Sequence, residues 1–229
     1  MPTLVVEGED DALVYRILAK NLPAQNVEFL EVEGREKLLA IFAERDTLPK
    51  RLKIAFIADQ DVWVYGEIPK EYQDNRLICT YGYSIENDVY LDGEFEKVFT
   101  KEEHLRFRKE VSDYIEWYAL ALSRHLRNRE NGIDRHPNHV LNATERPKHL
   151  ELRETENYPT ELKNRIDNDY QRLLRGKSLF DLHIRNTKPH DSRETMLKSV
   201  AVRPGPHLQA IIDQVGGLFR FNRAATARA

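Results

Sequence analysis

The hydrophobic positions of this chain fall into two rhythms. Short unbroken apolar runs, Leu4-Val5-Val6 and Ile54-Ala55-Phe56-Ile57-Ala58, stop abruptly at carboxylates. Runs of that length, rich in β-branched residues, predict strands buried on both faces, as in a parallel sheet. Residues 3–6 are the first predicted strand, 27–32 the second, 53–58 the third and 76–80 the fourth. Between them apolar residues recur three and four apart. Leu13, Ile17 and Leu18 predict a helix over 9–21, ended by Asn21-Leu22-Pro23, and Leu38, Leu39, Ile41 and Phe42 another over 35–46, entered through Gly34. The β-α-β-α-β order argues for an α/β domain with a four-stranded, mainly parallel sheet flanked by helices.

After residue 98 the pattern is helical. Leu105, Val111, Ile115, Tyr118, Leu122 and Leu126 predict a long helix over 101–129. Periodicity returns at 159–175, a short helix starts at Gly176-Lys177-Ser178, and a last helix over 206–215 is expected to end at Gly216-Gly217. Residues 130–157, with Gly132, Pro137 and Pro147 among many polar positions, give the weakest signal for regular structure. The expected organisation is therefore an α/β core over 1–98 and a C-terminal helical extension over 99–229.

The chemistry begins where the strands stop. Glu7 and Asp11 follow the first strand, Asp59 and Asp61 the third, and Ser84-Ile85-Glu86-Asn87 the fourth, with Ser84 as N-cap and Glu86 in the first helical turn. Open α/β sheets bind ligands at the carboxyl edge of their strands. Acids gathered there repel one another unless cations sit among them. Mg²⁺ needs only a few protein carboxylates, and phosphodiester chemistry uses such ions to neutralise phosphate and orient water. Asp59 and Asp61 would share a side if the strand continued that far. Gly8 is expected to let the chain turn sharply after Glu7, and Glu9 and Asp10 read as helix-start charges.

Charge is split along the chain. Residues 1–118 hold 15 Lys and Arg against 25 Asp and Glu, a balance of −10, whereas 119–229 hold 20 against 13, a balance of +7, with seven of the eight histidines. An acidic half suited to cations precedes a basic half suited to phosphate, although two oppositely charged halves also simply attract. The single cysteine, Cys79, excludes an internal disulfide and a cysteine-based zinc site. With no apolar run near the ~20 residues needed to span a bilayer and no basic-then-apolar leader pattern, a cytoplasmic setting is expected.

Glu7-Gly8 with Asp11, Asp59-Gln60-Asp61, and Ser84-Ile85-Glu86-Asn87 together make the chain resemble the Toprim domain. That domain is the metal-binding catalytic module of topoisomerases, primases, OLD-family nucleases and small RNA-maturing nucleases. More narrowly the chain resembles the DUF4435 branch, often encoded beside an ATPase in phage-defence systems. The likeness covers residues 3–92; beyond 100 it is one of style only, a helical extension. It implies a nuclease dependent on Mg²⁺ or Mn²⁺ that cuts DNA or RNA as the toxic effector of a defence system. Glu7 would then be general base or metal ligand, Asp11, Asp59 and Asp61 metal ligands, and Glu86 a further acid. OLD-type relatives add a lysine from the C-terminal part to stabilise the charged transition state, for which Lys177 is the candidate.

Other constellations are weaker. Gly176-Lys177-Ser178 lacks the upstream glycine of a P-loop, since Gln171 stands there. His136 and His139 read as structural or solvent-exposed. Arg124, Arg127 and Arg129 either touch phosphate or merely satisfy a helix C-terminus. Trp63, with Tyr65 and Tyr72, either stacks bases or packs over the sheet edge. A different class of function is also consistent with these residues: a regulatory module whose acidic edge binds a partner ATPase or a metal without turnover. Primase-like nucleotidyl transfer would need a nucleotide-binding lobe that this length does not offer. Whether the chain acts as a homodimer is left open.

Overall fold

Three of the four strands are built almost wholly from residues that exclude water. In the computed structural model β1 (Thr3–Val6), β2 (Glu28–Glu31), β3 (Ile54–Ala58) and β4 (Leu77–Cys79) form one sheet in the order β2-β1-β3-β4, every pairing parallel. The structure describes residues 1–21, 27–49, 51–128, 130, 132–187 and 192–226. The expected chain break at Asn21-Leu22-Pro23, Arg129 and His190 therefore fall wholly or partly outside the described residues.

Register shows how the two faces are filled. Val5, Phe56 and Leu77 pair in one row across the sheet and join Val32, Leu38, Phe42 and Ala58 in a buried cluster. Phe42 meets Phe56 edge to face at 5.3 Å. The neighbouring row, Val6, Ile57 and Ile78, points to the other face and is equally buried. Burial of such side chains stabilises by about 1.5–3 kcal/mol each. Of the two edge strands, β2 and β4, β2 is short and carries Glu28 and Glu31, charges that discourage pairing with another chain.

Helix α1 (Glu9–Leu18) follows β1, α2 (Arg35–Ala43) follows β2, and α3 (Ile85–Gly93) follows β4. Gly34 enters α2 at φ +116°, a conformation that side-chain-bearing residues rarely adopt. Its amide donates to the Glu7 carbonyl at 2.7 Å, tying that turn to the end of β1. Between β3 and β4 the chain forms short 3₁₀ turns at Asp61–Tyr65 and Lys70–Tyr72.

Beyond α3 come α4 (Lys101–Asn128), α5 (Pro137–Val140), α6 (Arg146–His149), α7 (Thr160–Asn168), α8 (Tyr170–Leu173), α9 (Gly176–Asn186), α10 (Arg193–Ala201) and α11 (Pro206–Thr226). The chain divides into two compact units, Met1–Gly93 with Glu194–Ala229, and Glu94–Arg193. The helices from Glu194 onward thus group with the sheet, whereas the sequence places them in one extension after residue 98. In the first unit α11 packs on α3. In the second, α7 and α9 pack on α4, whose buried residues include Phe107, Val111, Tyr114, Ile115 and Tyr118.

Three expectations change. Leu105 and Leu126, placed on the apolar stripe of α4, are largely exposed at 71% and 45%. The weak stretch 130–157 contains α5, started by His136, whose ring Nδ1 accepts from the Asn138 amide, and by Pro137 at the first helical position. α11 continues through Gly216-Gly217 because Ile211, Ile212, Val215 and Phe219 form one buried stripe, which outweighs the roughly 1 kcal/mol that each helical glycine costs. No helix is long and apolar enough to cross a membrane among the described residues.

Candidate functional site at the carboxyl edge of the sheet

The strand order reverses between β1 and β3: the chain leaves β1 for β2 on one side, then crosses to β3 and β4 on the other. At such a switch point the loops after the two central strands part and leave a crevice at their carboxyl ends. Glu7 follows β1 and Asp59 follows β3, so the fold places both there. Their contact is direct: the Asp59 amide donates to Glu7 Oε1 at 2.8 Å. Asp59 in turn accepts from the Ile85 amide, the first residue of α3, at 2.9 Å through Oδ1. An acid from one strand thereby caps the helix that follows another, where the helix dipole favours negative charge.

Glu86 is 2% exposed and accepts a 2.5 Å bond from Ser84 Oγ. Ser84 does stand at the N-cap, but its hydroxyl serves the carboxylate instead of a helix amide. The Asn87 side-chain oxygen accepts from the Ser84 amide at 3.0 Å, the return half of a capping box. Asp11 is 7% exposed on α1. Gly8, at φ −162°, is ordinary extended backbone, and an added Cβ would meet nothing nearer than Asp11 Oδ2 at 4.0 Å. The sharp turn expected of this glycine is absent, and what it leaves is open space beside the acids.

β3 ends at Ala58, so strand alternation does not carry Asp59 and Asp61 to a common side. Asp61 instead adopts φ +48° and opens a 3₁₀ turn, a strained conformation for a residue with a side chain. It is held by its amide, which donates to the Tyr83 carbonyl at 2.7 Å. Gln60 stitches the same turn down: its amide donates to Thr80 Oγ1 at 3.1 Å and its Nε2 to the Thr80 and Tyr81 carbonyls at 2.7 and 3.1 Å. Asp88, buried on α3, accepts from the Tyr81 and Gly82 amides at 3.0 and 2.7 Å. Burial raises its pKa to about 6.

The electrostatics confirm that the acids are neighbours. Glu7 is raised to about 7, first by burial and then by the charges of Asp61 and Glu86, against a lowering bond from the Asp59 amide and the charge of Arg35. Asp59 is raised well above the usual carboxylate range, first by burial and then by Asp11, Glu86, Glu7 and Asp61. Asp11, Glu86, Glu7 and Asp61 are thus close enough for their charges to act on Asp59, and a hydrogen bond joins Glu7 to the Asp59 amide. Among the described residues, however, no three His, Cys, Asp or Glu side chains converge on a point where they could hold a metal ion.

Two residues at this edge were not singled out. Tyr15, four positions after Asp11 on α1, is 3% exposed, and its hydroxyl has no hydrogen-bond partner. Its pKa is raised well above the ordinary value, by burial first and then by the charges of Asp11, Asp59, Asp88 and Glu7. Arg35, the first residue of α2, donates from Nη1 to Asp61 Oδ2 at 2.7 Å and lies 3.9 Å over the Trp63 ring, while its buried Nη2 has no partner. The helical spacing of Asp11 and Tyr15 and the place of Arg35 just after Gly34 were the available signals.

The remaining candidates are elsewhere or otherwise engaged. Trp63 stacks on Tyr72 at 5.1 Å as well as under Arg35, so its ring is packed over the sheet edge. Lys177, in the first turn of α9, and Arg124 and Arg127, near the end of α4, belong to the second compact unit. Arg124 grips both oxygens of Glu156, at 2.8 and 2.5 Å, and Arg127 is exposed. His136 contacts Asp181 at 3.1 Å through Nε2, which with its capping bond gives it a structural role. A groove of about 300 Å³ in the first unit, lined by Leu48, Pro49, Leu52, Ile54 and Phe219 among others, lies toward the amino end of β3 and involves none of the five acids. Compared with known protein families and with curated proteins, the chain matches none.

Proposed function

We propose that the chain is a divalent-metal-dependent phosphodiesterase that cuts nucleic acid, a nuclease of the Toprim type. The observation that carries this reading is the Glu7–Asp59 contact at the switch point, surrounded by Asp11, Asp61 and Glu86. Carboxylates crowded and buried enough to hold protons toward neutrality are costly without a counter-charge. Hard oxygen donors of this kind suit Mg²⁺ or Mn²⁺. The named bonds engage one oxygen each of Glu7, Asp59, Asp61 and Glu86, which leaves the second oxygen of each as a donor. The donor chemistry thus fits the ion, and the side chains must turn to converge on it.

A bound cation would neutralise the phosphate and ease deprotonation of an attacking water. Asp59, Asp61, Glu86 and Asp11 would hold it. Glu7, with a pKa of about 7, is matched to accept the water's proton near neutral pH. The Tyr15 hydroxyl and Arg35 Nη2 are buried donors without a partner, and the substrate of such a reaction is itself an anion. Buried acids wanting a cation beside buried donors wanting an anion is the pattern that a metal–phosphate substrate satisfies.

A second reading is a non-catalytic module that binds a partner ATPase, which needs no acids converging on a metal, and among the described residues no three do. Cleavage separates the two. Purified protein is expected to cut single- or double-stranded DNA or RNA with Mg²⁺ or Mn²⁺. Glu7→Gln and Asp59→Asn should each lower the rate at least about 100-fold with unchanged circular dichroism. Cleavage that persists in both variants excludes this site, and a wild type that cuts none of these substrates favours the module.

A further inference from the structure

Tyr81, 48% exposed, is the most exposed aromatic side chain among the described residues. It stands two residues beyond β4, at the same carboxyl edge of the sheet as Glu7 and Asp59. Its backbone is held from both sides: the amide donates to Asp88 Oδ2 at 3.0 Å, and the carbonyl accepts from Gln60 Nε2 at 3.1 Å. Gln60 lies between Asp59 and Asp61, so a single hydrogen bond ties Tyr81 to the acidic turn. Thr80 Oγ1 donates to the Gly82 carbonyl at 2.9 Å and closes the loop across Tyr81. The phenol ring lies against His207, centroids 4.6 Å apart and planes inclined at 36°. That second ring is fixed in turn, because His207 Nδ1 and the His207 amide both donate to Asp92 Oδ1, at 2.7 and 3.1 Å. Hydrophobic burial favours turning a large ring inward. Here the clamped backbone holds it in water.

We propose that Tyr81, backed by His207, is a stacking platform for an unpaired nucleobase, which makes single-stranded nucleic acid the ligand of this edge. Every base has a flat π face, and a ring already held in place binds it with little further ordering cost. Bases inside a duplex are stacked on their neighbours, whereas those of single strands and loops can splay out onto an aromatic ring. Trp63, the other aromatic candidate at this edge, is already covered by Arg35 and Tyr72. Stacking discriminates by strandedness and not by hydrogen-bonded sequence, so the platform selects unpaired segments of any sequence. The inference rests on the nuclease reading for calling that strand a substrate. Its central claim, a base on the Tyr81 ring, is tested without metal or turnover.

Labelled oligo(dT) and oligo(U) are titrated with the protein in EDTA and followed by fluorescence anisotropy. Wild type is expected to bind either strand about ten-fold more tightly than a duplex of equal length. Tyr81→Leu keeps apolar bulk but no flat face. It should weaken single-strand binding about ten-fold and leave duplex binding as it was. Tyr81→Trp should bind like wild type, and its new indole should lose emission as the strand binds. An abasic strand should bind wild type about ten-fold more weakly than the strand with bases, and Tyr81→Leu should not distinguish the two. Equal single-strand binding by wild type and Tyr81→Leu overturns the platform, as does an equal fall in duplex binding. A wild type that binds no single strand overturns it too. Should Tyr81→Leu not fold, the indole of Tyr81→Trp decides, and unchanged emission counts against the proposal. With Mg²⁺ or Mn²⁺ added, binding that depends on Tyr81 without any cleavage removes the nuclease reading and leaves the platform. Cleavage without that dependence does the reverse.

Discussion

The hydroxyl of Tyr15 is enclosed among carboxylates with no partner for its proton. Leaving a buried donor so costs about 1–3 kcal/mol, a cost that makes sense at a place built for a missing acceptor. Tyr15→Phe is therefore expected to leave the ligand-free protein as stable as wild type or up to about 1 kcal/mol more stable in urea unfolding. The same variant should lose roughly ten-fold in cleavage rate, the effect of one hydrogen bond to the substrate. A loss of more than about 1 kcal/mol of stability would mean the hydroxyl already has a structural partner. Reading the chain for acids alone could not find this residue. Glu7 and Asp59 are legible because each directly follows an apolar run, and Glu86 because it stands two residues after a capping serine. Tyr15 and Arg35 look like core and surface residues until the fold shows what they face. The pairing of Asp61 with Arg35 is set by a backbone turn at positive φ, which no local sequence signal in Asp-Gln-Asp announces.

At the level of elements, α3 organises the first unit from both ends. Its start receives Asp59, and its last turn supplies Asp92 to α11. The Asp92 carboxylate, with no exposed side-chain surface, accepts from the His207 and Leu208 amides at 3.1 and 2.9 Å and from His207 Nδ1 at 2.7 Å. Because a carboxylate only accepts, Nδ1 carries the proton. Gly205 is packed so tightly here that a Cβ would stand 2.6 Å from Asp92 Cγ. Asp92→Ala strips the cap and leaves buried amides unpaired, at an expected loss of about 2–4 kcal/mol in urea unfolding. A loss below about 0.5 kcal/mol would show that α11 does not depend on this contact. Such long-range caps explain which elements could be read in advance. Three strands of the sheet were legible because they are continuous apolar runs that need no partner to be recognised. The extent of α11 past Gly216-Gly217 and the existence of α10 depend on tertiary burial, which local pattern does not contain. The division of the chain was illegible for the same reason: the helices from Glu194 onward carry no strand signal, and the place of α11 beside α3 is a matter of packing.

For the molecule as a whole, the crowded acids turn pH and cations into opposing controls on stability. Glu7 has an ordinary pKa of 4.5 and a folded value of about 7. Between those values the unfolded chain has released a proton that the folded chain keeps, so stability falls as pH rises through that window. Below 4.5 the contribution is complete, and above about 7 it is gone. Asp59, shifted in the same direction by burial and its four acidic neighbours, adds to the fall. Asp88, raised to about 6 by burial, does so too, but it already serves two amides and is not among the proposed ligands. The arginine-paired acids act oppositely and elsewhere. Asp74, lowered chiefly by its bonds to Arg76, and Glu156, lowered to about 2 by Arg124, lose their contribution only in more acid solution, below their ordinary values of 3.8 and 4.5. In the window from pH 5.5 to 8 the acids of the site titrate beside Asp88 and beside His149, whose pKa is lowered by burial and then by Arg135 and which acts in the opposite direction. A divalent cation binds the deprotonated acids and must displace protons at the lower end of that range. With Mg²⁺ or Mn²⁺ at ten times its dissociation constant at pH 8, the thermal midpoint followed by Trp63 should rise roughly 3–5 °C. The same addition at pH 5.5 should raise it far less, and in Glu7→Gln the difference between the two pH values should shrink. Equal stabilisation at both pH values would place the cation on groups other than these acids, and no stabilisation at either would remove the metal from the site altogether.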